Sequence, residues 1–195
     1  MKDSQKTVYS RGIVEFVAVA NEFCKYVERA HELQGDDLLK ILQRILPLMY
    51  IKGSLLPSLQ PYFEDGNEKF VTENQWEQIN RALSEKFGTA NDYLEIFDIK
   101  AADAEGAVPV SIAENMADIY QDIKDFLLLY QTGSQEVMND AIWECKLNFE
   151  NHWGQKLVNS LRAIHSFIYS EEEIDTSNFM TEQQQDFQKY GNGRV

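Results

Sequence analysis

Four carboxylates on one stretch of the chain, Glu114, Asp118, Asp122 and Asp125, recur at steps of 4, 4 and 3 residues. Wound as a helix at about 100° per residue, they share an arc of about 80°. Neighbours on such an arc repel one another by roughly a few tenths of a kcal/mol per pair, so the pattern needs compensation. Three forms are open. The arc is a solvated acidic face, a docking surface for a protein with a basic surface, or a site for a hard divalent cation such as Mg²⁺ or Mn²⁺, which takes several oxygens at once. The apolar positions of the same stretch centre on the opposite side, so the carboxylates are expected to point away from the core.

A second polar stripe is longer. Asp140, Glu144, Asn148, Asn151, Gln155, Asn159 and Arg162 fall within about 100° by the same arithmetic. Asn is a poor helix former, and Trp143, Leu147 and Val158 cover the flank beside the stripe, so this helix is expected to be largely enclosed. Its polar side chains then form a packed interface between helices, or line a ligand pocket with Trp143, Glu144, Asn148 and His152 as contacts, or are plainly exposed.

Other chemistry is thin. His31, His152 and His165 are scattered, and no Ser or Cys sits in a recognisable nucleophile context. Glu28 and His31 make one Glu-x-x-His, but a di-iron bundle requires a second copy and further glutamates. Glycine-rich phosphate loops are absent. Cys24 and Cys145 lie far apart and outside any Cys-x-x-Cys pair; both are expected to be buried free thiols.

The elements that must carry these residues are helical. Ile13, Phe16, Val17, Ala20, Phe23, Cys24 and Val27 recur at three- and four-residue steps, predicting an amphipathic helix over about 7–32 that Gly35 ends. Leu38 to Leu56 follow with apolar residues over most of the circumference, as in a central helix, and Pro47 is expected to kink or break it. Pro57, Pro61 and Glu64-Asp65-Gly66-Asn67 mark a loop. Thr72 with Gln75 predicts a capping box for a helix that Gly88 terminates. From 89 to 110 the pattern weakens: Asp92 to Ile99 reads as a short helical turn or an extended strap, and Ala101 to Gly106 as a surface loop. Ser111 with Glu114 predicts a second box, opening a helix to Gly133, and Ser134 caps the next. That short connection makes an antiparallel hairpin. Its second arm runs about 34 residues unless Gly154 interrupts it. No internal repeat or strand alternation is evident.

These readings give a single all-α domain over 7–170, a bundle of five or six helices with a long C-terminal antiparallel helical hairpin. Residues 171–195 follow as an acidic, Gln-rich tail that is expected to be flexible. Within the tail, Thr181 and Gln184 suit the start of a short helix whose neighbours Phe179, Met180, Phe187 and Tyr190 dock on the body or on another protein, unless the segment simply dangles.

Charge bounds the partners. Over 195 residues, 18 Lys+Arg against 32 Asp+Glu give 18 − 32 = −14, and both nucleic-acid backbones and anionic membranes select clustered cations. Neither is an expected partner. The polar N-terminus and the short apolar runs predict neither a signal peptide nor a membrane span, hence a cytoplasmic protein.

Several stretches resemble one family together: Leu42 to Leu48 with Lys52-Gly53-Ser54-Leu55-Leu56-Pro57, Ala117 to Phe126, and Ala141-Ile142-Trp143-Glu144-Cys145-Lys146 through Phe149 to Trp153-Gly154-Gln155-Lys156-Leu157. The chain resembles, over about residues 8–168, a bacterial family of all-helical domains catalogued as domain of unknown function 5063. The resemblance implies a helical fold and brings no activity, cofactor or functional residue. The expected function is therefore a non-catalytic interaction or small-ligand-binding helical module, with no cofactor. The alternative is a hydrolase of a nucleotide or phosphoester in which Glu114, Asp118, Asp122 and Glu144 hold Mg²⁺ or Mn²⁺.

Overall fold

The computed structural model describes residues 7–95 and 107–177. Helix α1 spans Arg11–Glu28 and α2 Gly35–Ser54; α3 spans Glu73–Phe87. A short hairpin follows, β1 Asp92–Glu95 against β2 Val108–Ser111, then α4 Ile112–Gln131. The last rod is α5 Gln135–Asn148, a π turn Phe149–Trp153 and α6 Gly154–Ile168. Counted as one, it makes five helices among the described residues, and with α4 it forms the expected antiparallel hairpin. No helix among them is long and apolar enough to cross a membrane.

The centre of the bundle is α4, not α2. Twelve residues of α4 are buried, Asn115 and Asp125 among them. On α2 the core takes Leu38, Leu39, Leu42, Leu46 and Met49, while Leu48, Tyr50, Ile51 and Leu55 stay exposed. Apolarity all round a helix predicts enclosure, yet here only one side has a neighbour.

Several boundaries also differ from the expectation. The first helix stops at Glu28, because Arg29 leaves helical geometry and the chain tightens into a 3₁₀ turn over Ala30–Glu32. Gly35 opens α2 instead of closing α1. A Cβ there would meet the Lys86 carbonyl oxygen at 2.1 Å, so the end of α3 can approach only a glycine. Pro47 sits inside an unbroken α2. Gln43, whose carbonyl loses its donor, is like Pro47 only partly buried, which leaves that oxygen access to water.

Thr72 and Gln75 form the full capping box. Ser111 accepts the Glu114 N–H at 3.1 Å without the reciprocal bond, and Ser134 makes no cap bond but donates to Glu136 at 3.1 Å. Asp92–Glu95 is an extended strap, paired from Asp92 opposite Ser111 to Glu95 opposite Val108. Four-residue strands joined across a long connection leave no alternation long enough to read. The loop reading of Ala101 to Gly106 lies outside the described residues.

The chain after Ser170 returns to the body. Asp175 accepts the Thr89 N–H at 3.0 Å and donates to the Thr89 hydroxyl at 3.1 Å. Gly88 has φ 49° and a Cβ on it would meet the Asp175 carbonyl oxygen at 2.2 Å. The readings of Phe179, Met180, Thr181, Gln184, Phe187 and Tyr190 lie outside the described residues.

Candidate functional site

The acidic arc of α4 faces inward. Asp118 accepts from the Trp76 indole N–H at 2.8 Å and from Lys156. Asp122 takes the Asn148 amide at 3.0 Å and meets His152 Nδ1 at 2.8 Å. Asp125, 2% exposed, accepts both the Phe70 and the Val71 N–H at 2.9 Å through Oδ1. Of the four, Glu114 alone is exposed. This corrects the expectation of a continuous acidic face pointing away from the core: α4 is packed nearly all round, so the side opposite its apolar centre meets α3, α6 and the loop 57–71 rather than water.

The second stripe supplies the matching partners, but not along the line drawn at 100° per residue. Asp140, Glu144 and Asn148 on α5 continue into His152, Lys156 and Ser160, while Asn151 and Gln155 are exposed. The π turn Phe149–Trp153 explains the change. An extra residue in the turn delays the rotation by about 100°, so four-residue steps hold one face across the whole rod. Gly154 permits it, since a Cβ there would meet the Phe149 carbonyl oxygen at 2.3 Å. The result is a seam: Asn115 bonds Ser160 at 3.2 Å, Asp118 holds Lys156, and Asp122 holds His152 and Asn148.

The same side chains pin the loop. Asp140, 2% exposed, accepts the Tyr62 N–H at 2.7 Å and the Phe63 N–H at 2.9 Å. Glu144 holds Asn67 at 3.1 Å and Lys69 at 3.0 Å. With Asp125 at Phe70 and Val71, they tie down an otherwise exposed strap at both ends and its middle.

The chemistry open to this cluster is therefore small. Glu144, Asn148 and His152 are engaged with Asn67, Lys69 and Asp122, and Trp143 is partly buried on the same helix. Three cavities on the described surface, of about 250, 320 and 410 Å³, are lined by other residues. Leu147 and Val158, expected to be enclosed, are each 41% exposed. Among the described residues no group of three His, Cys, Asp or Glu side chains is placed to hold a metal ion. Of the carboxylates of the hydrolase alternative, Asp118, Asp122 and Glu144 meet nitrogen donors and Glu114 is exposed. Burial is the main cause raising the Asp125 carboxyl above its ordinary value, and Oδ2 has no hydrogen-bond partner among the described residues. Burial likewise raises the thiols of Cys24 and Cys145, the reverse of a reactive cysteine.

The largest of those cavities, about 410 Å³, is a groove between α1 and α2. Ala18, Val19 and Tyr26 form one wall, Ile41, Ile45 and Leu48 the other, with Glu22 and Arg44 at the rims. Val14 and Ile51, 50% and 51% exposed, extend the same apolar strip. At one end Lys52 clips Glu15 at 2.5 Å and holds its carboxyl down at about 2. Between Asp37 and Glu64 the chain carries Lys40, Arg44 and Lys52 and no acid. Exposed Lys40 and Arg44 have no carboxylate partner among the described residues, whereas Lys52, Lys69, Lys124 and Lys156 each have one. A cationic, apolar strip thus stands on a molecule of net charge −14.

A family model described as a domain of unknown function (DUF5063) matches residues 7–170. The chain belongs to the DUF5063 family. Its fold is similar to that of protein BF1032 from Bacteroides fragilis, seen in a crystal structure, with 38% identity and a TM-score of 0.77 over 85% of this chain and 98% of that one. None of the curated proteins matches it.

Of the groove residues of this DUF5063 chain, the sequence pointed to none. The signal was the all-round apolarity of Leu38 to Leu56, read as a sign of burial when it marked a face without a neighbour.

Proposed function

We propose that the protein is a non-catalytic helical binding module whose binding surface is the groove between α1 and α2. Its occupant is an amphipathic helix of a protein partner with carboxylates flanking its apolar face. The observation that carries this reading is the apolar groove with Arg44 among its lining residues and exposed Lys40 one turn earlier on α2, both without a carboxylate partner among the described residues. A helix lays its apolar face into such a groove, and cations at the rim select acidic flanks and repel basic ones. Both walls come from rigid helices, which keeps the surface preformed at little ordering cost.

The module needs no metal or cofactor, and the seam residues serve it by holding the rods in place. A reducing compartment, the cytoplasm among them, suits the two buried unpaired thiols. The test is photo-cross-linking in cells with a photoreactive residue at the position of Leu48, and at exposed Glu77 on α3 as control. The expected result is a captured partner segment that mapping by mass spectrometry shows to be apolar on one face and acidic beside it, lost in the Arg44→Glu variant. Equal capture at the two positions overturns the reading.

A further inference from the structure

We infer, resting on the groove reading above, that a second copy of this chain covers the groove when no partner helix is bound, in a two-fold dimer that sets Glu22 of each copy against Arg44 of the other. The start of α1 meets the end of α2, where Lys52 clips Glu15 at 2.5 Å, so the two helices run antiparallel. From that clip Glu22 lies seven residues along α1 and Arg44 eight residues back along α2, about 10 and 12 Å. The two charges therefore stand level with each other on opposite walls.

Each wall thus carries one charge, and the signs are opposite. Within one copy they do not pair. Arg44 has no carboxylate partner among the described residues, and the ion pair of Glu22 is with Lys25 on its own helix, at 3.5 Å with both side chains half exposed. An acid-flanked partner helix engages Arg44 and leaves Glu22 facing a like charge; a second copy supplies an opposite charge to both. A two-fold axis running along the groove lays α1 of one copy on α2 of the other. By the same rise per residue Val19 then meets Leu48, Glu22 meets Arg44 and Tyr26 meets Ile41, each contact formed twice, as in any isologous interface. Copies of net charge −14 repel at long range, and the stretch without an acid between Asp37 and Glu64 lets them approach on this side. Eight residues line the groove, against about 20–30 a side in a standard interface. The dimer is therefore weak, and a partner helix can displace it.

Sedimentation equilibrium of the full chain provides the test. The unaltered chain should show a monomer–dimer equilibrium that shifts with concentration. Glu22→Arg and Arg44→Glu should each raise the dissociation constant at least about tenfold, since either change sets two like-charged pairs across the axis. An equimolar mixture of these two variants should dimerise at least as tightly as the unaltered chain, because one copy then brings two cations to the pairs and the other two carboxylates. Leu48→Glu, a change at a half-exposed residue, should abolish the dimer while circular dichroism shows the fold unaltered.

A chain that stays monomeric up to millimolar concentration overturns the inference, as does a dimer that Leu48→Glu leaves intact, or a pair of charge variants that mixing does not rescue. Capture of an acidic helix at the Leu48 position in those cases leaves the groove reading standing with a foreign occupant alone. Dimerisation with rescue by mixing, and no foreign helix captured, keeps the inference and defeats the foreign occupant; loss of both defeats both.

Discussion

At Asp125 two effects oppose each other. Two backbone N–H groups favour the carboxylate, while a 2% exposed site with an unbonded oxygen disfavours charge, and burial is the larger cause. A carboxyl raised in the folded state contributes stability that is fully present below its unfolded value, near 3.9, and lost as pH rises through the folded value. The Asp125→Asn variant cannot ionise, so its melting temperature should gain on that of the unaltered chain as pH is raised from 4 to 7. Parallel curves in a thermal melt at each pH would contradict this. Gly154 gives a prediction of a different kind. A methyl 2.3 Å from the Phe149 oxygen must displace backbone, so Gly154→Ala should cost about 2 kcal/mol, or about 4–8 °C in a chain of this size, read by calorimetry. The spacing of Asp118, Asp122 and Asp125 was legible in the sequence; their direction was not. Opposite the apolar centre means solvent only for a helix on the surface, and nothing local to α4 says that α3, α6 and a strap close over that side.

Among the elements, the rods follow from apolar periodicity and the rest from contacts between distant residues. The hairpin of α4 with α5–α6 was readable because Gly133 and Ser134 leave no room for another topology. Its polar register was not, since a single π turn rephases everything beyond Phe149 and has no signature beyond Gly154. Strands β1 and β2 went unread because pairing Asp92 with Ser111 is a non-local event between segments of four residues. The strap 57–71 read as a loop, and its rigidity comes from α5. Asp140→Ala removes the acceptor of the Tyr62 and Phe63 amides. It should destabilise the fold by about 1–3 kcal/mol and speed hydrogen exchange at those two amides above all others. Unchanged exchange there would show that the strap is held by something else. In the same way Gly88→Ala, which puts a methyl against Asp175 at a positive φ, should loosen residues 173–175 and open a site for limited proteolysis near Ser170.

Across the whole molecule, polar chemistry and apolar exposure have changed places relative to the sequence reading. The carboxylates and amides that looked like a site are fasteners between α4, α5, α6 and the strap, and the helix that looked central shows an apolar side to water. Net charge made phosphate backbones unexpected partners, and its distribution does more: the stretch of α2 without an acid borders the groove. The two roles separate in one measurement, capture at the Leu48 position carried out in parallel with thermal melts of Arg44→Glu and Asp122→Asn. The account predicts that Arg44→Glu, an exposed change, loses the captured helix while its melting temperature moves by no more than about 2 °C. It predicts that Asp122→Asn, which weakens the bonds to His152 and Asn148, melts lower and still captures. Loss of capture in Asp122→Asn with capture intact in Arg44→Glu would place the binding surface at the polar seam and contradict the account.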